Sequence, residues 1–123
     1  MATGKPIGEF SFKVTAFTFT PGPAASVLGQ MHCEGNATGF GTVLGTFSTV
    51  SPGQRSGTWG WCAVAYLDNG DSVTGNGQRT FQSGLNHWRT QGIIQISDGR
   101  TIALEGEIDL ATRSWTGQLF ERS

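Results

Sequence analysis

Hydrophobic and polar residues alternate along most of this chain with a period of two, and the runs that carry the alternation are short. Glu9 to Thr15 places Phe10, Phe12 and Val14 on one face and Glu9, Ser11, Lys13 and Thr15 on the other. Alternation of this kind marks a half-buried β-strand. The pattern falters at Ala16, continues as Phe17-Thr-Phe-Thr and stops at Pro21-Gly-Pro23, where a strand must end. Ser26 to Glu34 reads as a second strand, with Gly35 to Gly39 as its turn, and Phe40 to Val50 as a third. After a loop from Ser51 to Gly57, Trp59–Leu67 and Ser72–Phe81 flank Asp68-Asn-Gly-Asp71, a strong local signal for a tight hairpin. Further strands are expected over His87–Ile96, Thr101–Asp109 and Trp115–Glu121, separated by Ser97–Arg100 and Leu110–Ser114. No window carries apolar residues at helical spacing over ten positions.

Eight short strands joined in sequence make an antiparallel meander. Closing the meander into a single-domain, eight-stranded up-and-down β-barrel removes its exposed edges, and a two-sheet sandwich is the competing arrangement. Gly60, Gly75, Gly92 and Gly106 fall inside strands, as expected at barrel corners. In Thr101–Asp109 the aliphatic face (Ile102, Leu104, Ile108) is expected inside and the face with Glu105, Glu107 and Asp109 outside. The same logic turns Trp88, Ile94 and Ile96 inward. Trp59–Leu67 is apolar on both faces, so its outer face (Cys62, Val64, Tyr66) is a candidate subunit contact, and a homo-oligomer, dimer or trimer, is expected.

Composition narrows the class. The 123 residues suit one domain. The 19 glycines are roughly double the ~7% average usage, yet form no repeat, and 8 Phe with 4 Trp are too rich for disorder. Eight basic against nine acidic residues, with no run of either sign, argue against nucleic-acid or anionic-membrane partners. No apolar run reaches transmembrane length, and Met1 to Pro6 lacks the layout of a signal peptide, so a soluble, cytoplasmic protein is expected. Cys33, Cys62, His32 and His87 show no zinc spacing, so no metal or other cofactor is expected. The cysteines read as free thiols, with a disulfide between adjacent strands as the alternative. His32 and Cys33, neighbours on a strand, should face opposite sides.

An eight-stranded barrel is just wide enough to be filled by side chains or to hold one small ligand. The mixture of small residues with large aromatics favours a cavity, and the competing expectation is that Trp and Phe fill the space. The segments Glu34-Gly-Asn-Ala-Thr-Gly-Phe-Gly-Thr, Ser56-Gly-Thr-Trp and Trp115-Thr-Gly-Gln-Leu, with the strand rhythm, resemble the allene oxide cyclase-like barrels within the calycin-type folds. That group includes small bacterial proteins of unassigned function and, more remotely, dirigent proteins and spirotetronate cyclases. A weaker resemblance, in the Gly-Thr-Trp rhythm, is to streptavidin-type barrels. The resemblance implies an oligomeric barrel with an apolar cavity and, where active, cofactor-independent cyclisation or isomerisation of a hydrophobic, unsaturated substrate.

Two functions follow. In the first, a cyclase or isomerase, orientation supplies most of the rate. Tyr66 would donate a hydrogen bond, and Glu34 or Glu105 would act as general acid or base. Trp59, Trp61 and Trp88 would wall the substrate site, with Phe12 and Phe40. In the second, the barrel binds an apolar or aromatic ligand without turnover. Strand parity separates them, because outward-facing Glu34, Glu105, Glu107, His32 and Arg89 would leave acid–base chemistry without agents.

Overall fold

The structure, a computed structural model, describes residues 4–50, 56–84 and 87–121. Eight antiparallel strands follow in chain order: β1 (Pro6–Pro21), β2 (Val27–Ala37), β3 (Gly41–Val50), β4 (Ser56–Tyr66), β5 (Ser72–Gly84), β6 (His87–Ile96), β7 (Thr101–Asp109) and β8 (Ser114–Glu121). Each pairs with its neighbours in sequence, and β8 pairs with β1, so the sheet closes into a barrel. Closure is the physical answer to eight amphipathic strands, since no strand is left as an edge along its whole length; β1 pairs with β8 over Pro6–Lys13 and with β2 over Phe10–Pro21. Among the described residues no helix is long and apolar enough to cross a membrane.

Two local features differ from the sequence reading, and a third bears it out. The stretch after Glu34 does not turn at once. Gly35, Asn36 and Ala37 stay in β2, opposite Val43, Thr42 and Gly41 of β3, and the turn is Thr38–Phe40. Gly35 serves a close approach, because a Cβ there would lie 2.0 Å from the Ser11 carbonyl oxygen. Pairing on two sides has overridden a weak strand propensity.

The hairpin at Asn69-Gly70 is a three-residue loop instead of a two-residue one. Gly70 N donates to Leu67 O (3.1 Å) and Leu67 N to Asp71 O (2.9 Å), with only Gly70 at positive φ (94°). The β6–β7 hairpin repeats the design, with Gly99 N donating to Ile96 O (3.0 Å), Ile96 N to Arg100 O (2.9 Å) and Gly99 at φ 100°. A type I turn followed by one left-handed glycine gives this arrangement. In both loops a side-chain oxygen accepts from the backbone two residues on, Asn69 from Asp71 and Asp98 from Arg100.

The third feature confirms the irregularity and shows its purpose. The β1–β2 register slips between Val14 and Ala16, a bulge of one residue. Phe10, Phe12 and Val14 face inward before it, and Phe17 and Phe19 pair with inward-facing Met31 and Gly29 after it. Without the extra residue, strict alternation would bring Ala16, Thr18 and Thr20 inside and turn both phenylalanines to solvent.

The remaining parity follows the sequence. Ile102, Leu104, Ile108, Trp88 and Ile94 are buried inside, Ile96 is half-buried, and Glu107 and Arg89 face out. The middle of the barrel is solid. Trp115 is fully buried, with the rings of Phe10, Phe47, Trp59 and Trp61 at 5.2, 5.4, 5.7 and 5.0 Å between centroids. Its indole N–H donates to Thr90 Oγ1 at 3.0 Å, and that of Trp59 to Thr80 O at 2.9 Å. Several strand glycines exist to seat these rings. A Cβ at Gly45 would lie 2.5 Å from Trp61 Cζ2, and one at Gly92 2.5 Å from Trp59 Cζ2. The high glycine content therefore makes room for aromatic rings, where the sequence reading took it as a sign of empty space.

Candidate functional site

The aromatic plug leaves two interior spaces, one toward each end. At the end formed by the hairpins Thr38–Phe40, Asp68–Asp71 and Ser97–Arg100, a cavity of about 60 Å³ lies among Phe12, Phe40, Val43, Ala65, Ile96 and Ile102. That is well below the ~150 Å³ that admits benzene. Phe40 is buried over this end, and the Arg100 guanidinium lies 4.5 Å from its ring centroid. Arg100 is tied to Asp98 at 2.8 Å, and these hydrogen bonds with Arg100 hold the Asp98 carboxyl below its usual range. This end is narrow.

The opposite end, framed by the β1–β2 and β7–β8 turns, opens into a bowl of about 290 Å³. Its floor is Met31, Phe47 and Trp88, and its walls are Phe17, Phe19, Thr49 and Leu110. The local sequence explains each contribution. The bulge aims Phe17 and Phe19 inward, where their rings stack at 6.3 Å and 7°. Trp88, next to the start of β6, is braced by Phe81 at 5.0 Å and Phe47 at 6.1 Å. Leu110 folds in from the β7–β8 turn, whose backbone is pinned by Asp109 accepting from Ala111 N and Thr112 N. Desolvation pushes the Asp109 carboxyl upward, but those two N–H groups and the nearby His87 more than offset it and hold it below the usual carboxylate range. The volume is close to the lower limit of ~300 Å³ for small-molecule sites, so the bowl suits a compact ligand.

The residues proposed for catalysis lie elsewhere. Glu34 is exposed on the outer face of β2, between inward Cys33 and Gly35. Tyr66 is 51% exposed at the end of β4, because Ala65 holds the inner position. Glu105 faces out from β7 because Leu104 takes the lumen, and it sits opposite Gln91 and Gln118 with its Oε2 buried and unpartnered. β7 is three strands away from both β2 and β4 around the barrel, so the three groups do not form one site. His32 is also outward, its ring nitrogens near the hydroxyls of Thr18 (3.4 Å) and Thr46 (3.5 Å). His87 pairs with Glu107 outside. Among the described residues, neither interior space is lined by a carboxylate, imidazole or amine.

The proposed aromatic wall fares differently. Phe12, Trp59 and Trp61 are buried in the plug, Phe40 lines the small cavity at the far end, and Trp88 alone of the five lines the bowl. The other bowl residues were absent from the sequence-derived site. Phe17 and Phe19 carried the available signal: paired aromatics just before a Pro-Gly-Pro stop and just after a break in alternation.

Both cysteines are free, and a disulfide between them is excluded by placement. Cys33 faces the lumen from β2, Cys62 faces solvent from β4, and β3 separates them. Burial pushes the Cys33 thiol up to about 12, so it is a packing group and no nucleophile. At pH 8 an aromatic disulfide reagent is expected to titrate one thiol per native chain, Cys62, and two in denaturant. Rapid labelling of both in the native protein would contradict the burial of Cys33. Outward Cys62, Val64 and Tyr66 give β4 the apolar outer face expected, and Val64 pairs with exposed Leu44 of β3.

No protein-family model, curated protein or solved structure matches the chain.

Proposed function

We propose that this barrel binds a compact apolar or aromatic small molecule in the bowl at the β1–β2 and β7–β8 end, without chemical turnover. The observation that carries the reading is the bowl itself, about 290 Å³ walled by Phe17, Phe19, Phe47, Trp88 and Leu110 on a floor the plug makes rigid. Aromatic side chains offer large contact areas at little loss of conformational freedom, and Phe47 and Trp88 are already packed against Trp59, Trp115 and Phe81. The reading as a cofactor-independent cyclase or isomerase needs a proton donor or acceptor beside the ligand. Tyr66, Glu34 and Glu105 face the wrong side of the sheet for that work, so holding a ligand is favoured over transforming it.

The test is an NMR titration with 2-naphthol, which is neutral at pH 7. Saturable shifts are expected at Met31, Phe47, Trp88 and Leu110, with one site per chain and the naphthol recovered unchanged. Leu110→Trp, which fills the bowl from a half-buried turn position, is expected to weaken binding about tenfold or more, a loss of 1.4 kcal/mol. Shifts confined to the outer face, or none, would refute the assignment.

A further inference from the structure

The bowl is apolar across its floor, and what a ligand meets at its edge is set by the β7–β8 turn. Arg113, the turn's last residue, adopts the left-handed conformation (φ 56°), and its carbonyl oxygen accepts from Val14 N at 2.8 Å. That bond anchors the turn to β1 just before the bulge. The Arg113 guanidinium carbon lies 5.8 Å from the centroid of the Phe17 ring, a wall of the bowl. A guanidinium resting on an aromatic face keeps its N–H edge free for a planar acceptor.

The other arginine–phenylalanine pair of the barrel provides the contrast. At the narrow end, Arg100 lies over Phe40 and is neutralised by Asp98. Arg113 makes no ion pair among the described residues. The carboxylates of its own turn and of the strand beside it are engaged elsewhere, Asp109 with the Ala111 and Thr112 amides and Glu107 with His87. A second donor lies on the floor. Trp59 and Trp115 spend their indole N–H groups on Thr80 and Thr90, whereas Trp88 has no hydrogen-bond acceptor among the described residues. An uncompensated cation beside an aromatic-walled bowl selects for a ligand with an apolar ring and a negative end.

We propose that the bowl takes an aromatic carboxylate, its ring between Phe17, Phe47 and Trp88 and its carboxylate on the guanidinium of Arg113. This inference rests on the reading of the bowl as a binding site. It narrows the ligand from any compact apolar molecule to an amphipathic anion of one or two rings, since the volume leaves no room for a long chain.

The experiment compares three probes of one shape at pH 7: 2-naphthoate, neutral 2-naphthol and cationic 2-naphthylmethylamine. Naphthoate is expected to bind about fivefold more tightly than naphthol, the upper range for a solvent-reachable ion pair, and the cation most weakly. Raising the salt concentration should erode the naphthoate advantage and leave naphthol unchanged. Arg113→Gln should bring naphthoate down to the naphthol affinity, while Arg100→Gln at the narrow end changes neither. The probe comparison and the salt series need only the wild-type chain, so they decide the matter even where a variant misfolds. Equal binding of naphthoate and naphthol, or tighter binding of the cation, overturns the carboxylate assignment and leaves the bowl as a site. Failure of all three probes to bind overturns both readings.

Discussion

Trp115→Ala is expected to destabilise the barrel by about 5 kcal/mol, enough to unfold much of the population. Removing a buried tryptophan costs about 3–5 kcal/mol through lost transfer and the cavity left behind. Here the cavity cannot collapse easily, because the rings around Trp115 stand on three different strands, Phe10 on β1, Phe47 on β3, and Trp59 and Trp61 on β4, and Thr90 adds a contact from β6. A further 1–3 kcal/mol follows from stranding the buried Thr90 hydroxyl without its indole donor. Small domains hold only about 5–15 kcal/mol in total. Urea unfolding followed by far-UV circular dichroism would measure the loss. Trp115→Phe, which keeps much of the ring volume and loses only the donor, should fall by about 2 kcal/mol. A loss below about 2 kcal/mol for the alanine variant would mean that the plug does not hold the barrel together.

The second large effect is expected at a glycine. Gly117 of β8 faces Gly106 of β7 and Phe10 of β1. A Cβ there would lie 2.1 Å from the Glu105 carbonyl oxygen, 2.5 Å from the Gly106 Cα and 2.8 Å from Phe10 Cε1. Two of the three obstacles are backbone, so no rotamer change relieves them. Gly117→Val should leave no soluble, folded barrel at 25 °C, and adding Phe10→Ala should not restore one. Gly45→Ala is the informative comparison, because its Cβ would meet only side chains, Trp61 and Ala63. There the rings can shift, and a loss of about 1–3 kcal/mol is expected, typical of overpacking. Equal behaviour of the two variants would show that backbone approach is not what fixes glycine at position 117.

The strands themselves were legible because alternation is a backbone property and survives in any sheet that buries one face. The same logic places Ile102, Leu104, Ile108 and Trp88 inside and the carboxylates of β7 outside, as the structure has them. What alternation does not contain is register across strands. Gly35 looked like a turn residue because only its pairing with Val43, and its closeness to Ser11, reveal it as a strand residue under an approaching backbone. Asn69-Gly70 was legible as a turn, while the number of residues in the loop depended on which carbonyl Gly70 found. The site was least legible. It is assembled from β1, β2, β3, β6 and one turn, and only the register slip after Val14 brings Phe17 and Phe19 to Met31 and Phe47. Tyr66, Glu34 and Glu105 attracted notice as chemistry-bearing residues in isolation, and parity alone determines that they face outward.

The seam between β1 and β8 has a consequence in time. Phe10 finds its partner Gly117 more than a hundred residues downstream, so the first strand cannot complete its pairing until β8 has been made. Until then it carries Phe10 and Phe12 with one side unzipped, a template for the wrong partner. Sheets dominated by such distant contacts acquire their native topology slowly, over milliseconds to seconds. Deleting Ser114–Glu121 would therefore leave a chain in need of a chaperone, even though the other seven strands are intact.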